Sequence, residues 1–256
     1  MSDNRKINED EKGNWNLKPA RDLGLDSVSR MKSIARETGF FGNAIRSIWW
    51  IFVRSFLKTW NHFQIHGDEN LPKNLPLVLI ANHSSHLDVI VLSLSIPLSQ
   101  RSKVFALAAE DHFFQDVSTS AFASLIINAL PMTRTGGGKG RESIDFFRSR
   151  LMTDKIGLII FPEGTRSRTG DLGAFRSGIG NLVAGTDIPV IPCFISGVHK
   201  AMPPDKSIIK RHPIAVYIGS PLTFKTVEQT KDGCESVAEQ CQAAVKQLQQ
   251  KADTAP

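Results

Sequence analysis

Apolar positions along the chain follow two different rhythms. Around a stretch running from about Asn43 to Trp60, Phe41, Ile45, Ile48, Trp49, Phe52 and Phe56 recur at helical spacing, while Arg46, Arg54 and Lys58 gather on another stripe. This pattern predicts an amphipathic helix. It can lie in a membrane interface, with Trp49, Trp50 and Trp60 at headgroup depth, or pack on the rest of the chain, and spacing alone leaves both open. After His66-Gly67 the rhythm changes to short apolar runs alternating with helical stretches. Strands are expected at Leu75 to Ala81, Val104 to Ala108, Ile156 to Phe161, Val190 to Ile195 and Ile214 to Ile218. Helices are expected near Asp88 to Ser95, Arg141 to Met152 and Ser177 to Gly185, and a solvated one from Glu235 to Lys251. The alternation predicts an α/β fold: a mixed, mostly parallel sheet covered by helices, preceded by an N-terminal amphipathic helical arm.

Four segments follow from this reading. Residues 1–25 form a polar, charge-rich tail expected to be disordered. Residues 26–65 hold the amphipathic arm, 66–225 the α/β domain, and 226–256 a C-terminal helix and tail.

Composition narrows the partners. In 256 residues, 41% apolar, a single buried core is available, and a net charge of +6 is compatible with an anionic partner, which could be nucleic acid, an anionic lipid surface or a phosphorylated substrate. A nucleic acid is disfavoured, because no compact Lys/Arg cluster is present and a single Tyr leaves few stacking residues. Cys193, Cys234 and Cys241 fit no Cys-x-x-Cys spacing, so a reducing compartment is expected, with neither a zinc nor a disulfide framework. The polar start lacks the apolar core of a signal peptide, and no apolar stretch reaches the roughly 20 residues of a spanning helix. The longest candidate, Ile48 to Val53, stops at Arg54. The expected place is the cytoplasmic face of a membrane, as a monotopic or peripheral protein.

Chemistry in open α/β sheets gathers beyond the carboxyl ends of the strands. Two turns there stand out. The first, Asn82-His83-Ser84-Ser85-His86-Leu87-Asp88, follows the strand ending at Ala81. On one continuous helix the five-residue step from His83 to Asp88 would swing the two side chains well apart, so His83 must precede the helix. With Ser84 or Ser85 as N-cap, Asp88 can reach back to the imidazole and fix its tautomer. A base held this way suits removal of a proton from a substrate hydroxyl, and helix N-terminal amides beside it can face a developing oxyanion. Activity should then rise with pH as the imidazole loses its proton. The second turn, Phe161-Pro162-Glu163-Gly164-Thr165-Arg166-Ser167, again follows an apolar strand, and its guanidinium suits a phosphate. His86 reads as structural, since His-x-x-His-x-Asp is not a zinc-hydrolase pattern. Gly136 to Gly140 reads as a flexible connector without P-loop spacing, although Lys139 and Arg141 could touch the phosphates of a carrier.

NHSSHLD followed about eighty residues later by FPEGTRS resembles the first and third blocks of the glycerolphosphate and lysophosphatidic acid acyltransferase family. Leu130-Pro131-Met132-Thr133-Arg134 resembles the second block and Ile188-Pro189-Val190-Ile191-Pro192 the fourth, so the likeness runs from about His66 to Gly219. The resemblance implies His83 as general base, oriented by Asp88. It implies that Arg134, Glu163, Gly164, Thr165 and Arg166 bind the acceptor, with Pro192 on the donor side. The donor would be acyl-CoA or acyl carrier protein, a thioester co-substrate, with no metal or bound cofactor. The acceptor would be a lysophospholipid, 1-acylglycerol 3-phosphate, at a membrane surface carrying anionic lipid. One departure stands: where many close lysophosphatidic acid relatives carry a pair of lysines, this chain has Ala108-Ala109-Glu110-Asp111, which points toward a less anionic acceptor unless Lys103 or Arg101 compensates.

Two other classes remain to be weighed. A hydrolase would use Ser84 or Ser85 as nucleophile, although no Gly-x-Ser-x-Gly elbow is present. A non-enzymatic lipid-binding protein would act through its Trp-rich arm and be indifferent to His83.

Overall fold

The structure, a computed structural model, describes residues 39–109, 127–132 and 138–254. The expected tail, Arg134, Glu110 and Asp111 lie outside them.

Helix α1 (Gly39–Trp60) leads into strand β1 (Gln64–His66), and β2 (Leu77–Ala81) is followed by α2 (Asp88–Ser95) and the short α3 (Leu98–Arg101). Then come β3 (Val104–Ala109), β4 (Ala129–Met132), α4 (Gly138–Asp154), β5 (Gly157–Ile160), α5 (Gly178–Val183) and β6 (Val190–Ser196). The chain closes with α6 (Val198–Ala201), β7 (Ala215–Ile218) and α7 (Lys231–Thr254). The seven strands form one sheet in the order β1-β7-β6-β2-β5-β3-β4. Every neighbouring pair is parallel except β6 and β7. This is the mixed, mostly parallel sheet that the alternating pattern predicts, with β1 and β4 as additions at its two edges.

The central strand explains its own composition. All five residues of β2, Leu77 to Ala81, are buried, as a strand covered on both faces requires. Val78 and Ile80 belong to one core with α4, α5 and α7, while Leu77, Leu79 and Ala81 belong to the other with α1 and α2.

Of the two readings that its pattern left open, the arm packs on the rest of the chain through one stripe and leaves a second apolar stripe exposed. Trp50, Val53 and Leu57, spaced three and four residues apart, bury against the sheet. Trp50 is therefore a core residue at 4% exposure and cannot sit at headgroup depth. Ile45, Ile48, Phe52 and Phe56 are left on the outer face, each exposed. Arg54 and Arg101 both donate to the Leu94 carbonyl, 3.2 and 3.4 Å, at the end of α2, where cations offset the carbonyl end of the helix dipole. Arg101 also lies 4.9 Å from the Trp50 ring, and burial together with Arg54 and Arg46 lowers its pKa to about 10.

Two further expectations need correction. The C-terminal helix is not merely solvated: Cys234, Val237, Ala238, Cys241 and Val245 bury one face of α7 against α5 and β6. Small apolar residues make this stripe quiet in the sequence. The second concerns the glycine-rich connector, whose Gly138, Lys139 and Gly140 open α4.

The packing of α7 is close. A Cβ on Gly180 of α5 would come within 2.3 Å of the Cys234 carbonyl oxygen and 2.4 Å of its Cα. Gly180→Ala must push the two helices apart, and a loss of about 1–3 kcal/mol is expected. Chemical denaturation checks this; an unchanged midpoint would mean that α7 can shift at little cost.

Candidate active site

β2 and β5 are adjacent parallel strands, with Ile80 opposite Ile160. Their carboxyl ends therefore release Asn82-His83 and Phe161-Pro162-Glu163 side by side, which is how two segments eighty residues apart share one site. Asn82 fixes the first turn to the neighbour on the other side: its amide donates to the Ile195 carbonyl at 3.0 Å and its oxygen accepts from the Ile195 amide at 2.8 Å. The side chain extends the β2–β6 ladder by one rung. Sequence reasoning assigned Asn82 no task.

Asp88 does reach back to the imidazole. Its Oδ2 lies 2.8 Å from His83 Nδ1 and also accepts from the amides of Ser84, at 2.6 Å, and Ser85, at 2.7 Å. The carboxylate is wholly buried, so these three donors replace the water it gave up. The expected capping runs in reverse: neither serine is the N-cap, a position that falls to Leu87, and the first helical side chain caps the preceding turn. The physical cause is charge, since a carboxylate accepts from several N–H groups more strongly than a hydroxyl.

With Nδ1–H donated to Asp88, Nε2 of His83 carries the lone pair. Among the described residues nothing bonds Nε2, and the side chain is 15% exposed. The ring stacks on Phe161, centroids 4.1 Å apart at 16°. Carboxylate and aromatic plate together leave one orientation.

Glu163 points at the main chain of His83. Its Oε1 accepts from the His83 amide at 2.9 Å and its Oε2 from the Gly173 amide at 3.2 Å, while the Ser167 amide donates to the His83 carbonyl at 2.7 Å. Both backbone groups of His83 are thus tied to the second turn. Burial raises the pKa of the Glu163 carboxyl, the two backbone donors and nearby His83 oppose that, and the charge of Asp88 adds to it.

These bonds redirect one expectation. The amides of His83, Ser84 and Ser85 are engaged by Glu163 and Asp88, so they do not face a developing oxyanion. The serines also stay away from the imidazole: the Ser85 hydroxyl donates to the Met202 carbonyl at 2.6 Å. Among the described residues neither Ser84 nor Ser85 makes the hydroxyl–imidazole contact of a hydrolase.

At the rim, Gly164 takes a positive φ of 76°, and Arg176 packs where its Cβ would be, with Nε 2.9 Å away. A side chain at 164 would have to displace that guanidinium. Thr165 is exposed, and half-buried Arg166 is hydrogen-bonded to His86 Nε2. His86 is thus the structural neighbour of a motif cation. Arg176 is a second guanidinium at this edge that sequence reasoning missed, standing ten residues past Arg166 behind buried Phe175. Pro192 lies buried inside β6, its carbonyl accepting from the Gly219 amide at 2.8 Å.

A family model described as acyltransferase matches residues 62–196, more than half of the chain, spanning both turns. The chain belongs to the acyltransferase family. Within that family it is similar to a chloroplastic 1-acyl-sn-glycerol-3-phosphate acyltransferase of Brassica napus, 31% identical over 187 residues, covering 71% of this chain and 50% of that one. It also resembles the 1-acyl-sn-glycerol-3-phosphate acyltransferase of Saccharomyces cerevisiae, 26% identical over 219 residues, covering 78% and 66%. The chain spans about half the length of the plant relatives it matches. Its fold matches the crystal structure of the 1-acyl-sn-glycerophosphate (LPA) acyltransferase PlsC from Thermotoga maritima, with a TM-score of 0.60 and 21% identity over 82% of this chain and 83% of that one.

Proposed function

We propose that this acyltransferase moves a fatty acyl group from a thioester, acyl-CoA or acyl-acyl carrier protein, to the hydroxyl of 1-acylglycerol 3-phosphate, giving phosphatidic acid. The observation that carries the proposal is the His83–Asp88 pair, held by its main chain over the FPEGTRS turn with, among the described residues, no nucleophilic side chain on Nε2. A base with an open lone pair and no protein nucleophile calls for a nucleophile brought by the substrate. Nε2 takes the proton as the acceptor oxygen attacks the thioester carbonyl. The tetrahedral intermediate then collapses, the C–S bond breaks, and the proton passes to the departing thiolate. No metal or bound cofactor takes part. Asp88 orients the ring and balances the imidazolium charge; Glu163 and Gly164 shape the turn.

Arg166, and Arg134 from outside the described residues, would receive the acceptor phosphate, with Thr165 beside them. Fork-shaped guanidiniums pair with phosphate oxygens in two places. Arg176 adds charge at the same rim. Access to such an acceptor calls for work at a bilayer, and the exposed face of α1 supports it: Ile45, Ile48 and Phe52 are each at least 60% exposed. Among the described residues no helix is long and apolar enough to cross a membrane.

The test offers labelled acyl-CoA and acyl-acyl carrier protein against lysophosphatidic acid, glycerol 3-phosphate and a zwitterionic lysolipid. Labelled phosphatidic acid is the expected product; labelled free fatty acid alone would overturn the reading. In the same assay Arg166→Ala should raise KM for lysophosphatidic acid by roughly ten- to a hundredfold, the equivalent of one charge-assisted contact of about 1.5–3 kcal/mol. Its kcat should change far less. An equal rise in KM for an acceptor without a phosphate would remove Arg166 from the phosphate site.

A further inference from the structure

The segment between α6 and β7 has no part in the chemistry above, yet it carries the most exposed large apolar side chain described, Ile208 at 79%. It is not a slack loop. The Lys210 amide donates to the Ala201 carbonyl at 2.8 Å and the Lys206 amide to the Pro203 carbonyl at 3.0 Å, closing an excursion that begins with two prolines. Asn61, the residue after α1, is fully buried and donates through Nδ2 to the carbonyls of Lys210 and His212, both at 2.9 Å. The excursion and the end of α1 are therefore one rigid frame that holds an apolar side chain out in water.

Two features say what covers it. From Lys200 to His212 the charge is four cations, Lys200, Lys206, Lys210 and Arg211, against one acid, Asp205, which pairs with Lys206. Arg211 lies 6.0 Å from the ring of Trp60, which stacks on Phe56, and both aromatics are exposed on α1. An apolar tip among cations, continuous with an amphipathic aromatic face, matches an anionic lipid surface, with alkyl tails below and phosphates at the level of the cations. A folded protein partner would require only the apolar tip, and free phosphate only the cations.

The position bears on catalysis. The excursion leaves the carboxyl end of β6, and its base is tied to the catalytic turn, where the Ser85 hydroxyl donates to the Met202 carbonyl. We infer that residues 203–212 form a second membrane contact, in which Ile208 enters the bilayer and Lys206, Lys210 and Arg211 meet anionic headgroups, turning the catalytic edge toward the lipid that supplies the acceptor. The inference rests on the proposed action at a bilayer; α1 alone would hold the protein to a membrane without fixing which edge faces it.

The test labels Ile208→Cys with an environment-sensitive fluorophore, since Cys193, Cys234 and Cys241 are all buried. Adding phosphatidylcholine vesicles with a third phosphatidylglycerol should shift its emission to the blue and make it quenchable by lipid-borne quenchers. A label that stays aqueous while the protein co-sediments with the vesicles would overturn the inference and leave α1 as the sole contact. Failure to co-sediment at all would overturn both it and the bilayer reading, while a blue shift in concentrated protein without vesicles would replace lipid by a second copy of the chain. As a second arm, reversing Lys206, Lys210 and Arg211 together to Glu should weaken binding to these vesicles by roughly tenfold or more. Transfer to a short-chain, monomeric lysolipid should be unchanged, because none of the three touches the catalytic turn. A loss there as well would show that the excursion supports the fold of the site.

Discussion

Replacing His83 with alanine is expected to lower kcat by roughly 10²–10⁴, the usual contribution of a positioned general base, while the protein stays folded. The structure separates these two outcomes. The imidazole contributes one side-chain bond, to Asp88, and a stack on Phe161, whereas the tie between the two turns runs through the His83 main chain, which alanine keeps. Asp88 retains two of its three donors, the Ser84 and Ser85 amides. A circular dichroism melt close to wild type beside a collapsed rate is the expected pair of results. An active variant would transfer the role of base elsewhere, and vesicle binding without any dependence on His83 in either protein would return the chain to the class of lipid-binding proteins. Product analysis matters as much as rate, because a serine hydrolase would also lose activity without its histidine.

What could be read from the sequence was what local spacing controls. The continuous apolar run ending at Ala81 marked a strand buried on both faces, and the step from His83 to Asp88 required a turn between strand and helix. Both follow from geometry within a few residues. The fate of Glu163 does not: the turn was evident, but whether the carboxylate faced solvent or the backbone of His83 depended on β2 and β5 being neighbours, a fact of long-range pairing. The same holds for Asn82, whose partner Ile195 lies on β6. β1 and β4, three and four residues long, are strands only because β7 and β3 offer them an edge, so no periodicity announced them. Trp50 misled because its stripe and the exposed stripe on α1 are both apolar, and which one a helix buries is decided by what it meets.

Asp88→Asn probes the positioning of the base, and here activity and stability should both fall. The carboxylate is buried, with Oδ2 accepting from three N–H groups and Oδ1 without a partner among the described residues. An asparagine can set its carbonyl oxygen where Oδ2 stands, but its NH2 then occupies the place of Oδ1, buried with nothing to donate to. The alternative orientation aims NH2 at three donors. Either way a polar group is left unsatisfied, at a cost of about 1–3 kcal/mol. The lost charge acts on catalysis separately: the imidazolium formed as Nε2 takes the acceptor proton no longer has a counter-charge beside Nδ1, and in the orientation with NH2 toward Nδ1 the tautomer with its lone pair on Nε2 is no longer favoured. A fall in kcat of roughly a hundredfold or more is expected, with KM for the acceptor little changed, because Asp88 is too deep to touch it. The two effects can be told apart. If asparagine lowers the melting temperature but leaves kcat intact, Asp88 is a cap for the Ser84 and Ser85 amides and the orientation of His83 rests on Phe161 and the main-chain tie alone. If kcat falls while the folded fraction stays full at the assay temperature, the carboxylate acts through the imidazole, and the Ser84 and Ser85 amides serve mainly to hold it in place.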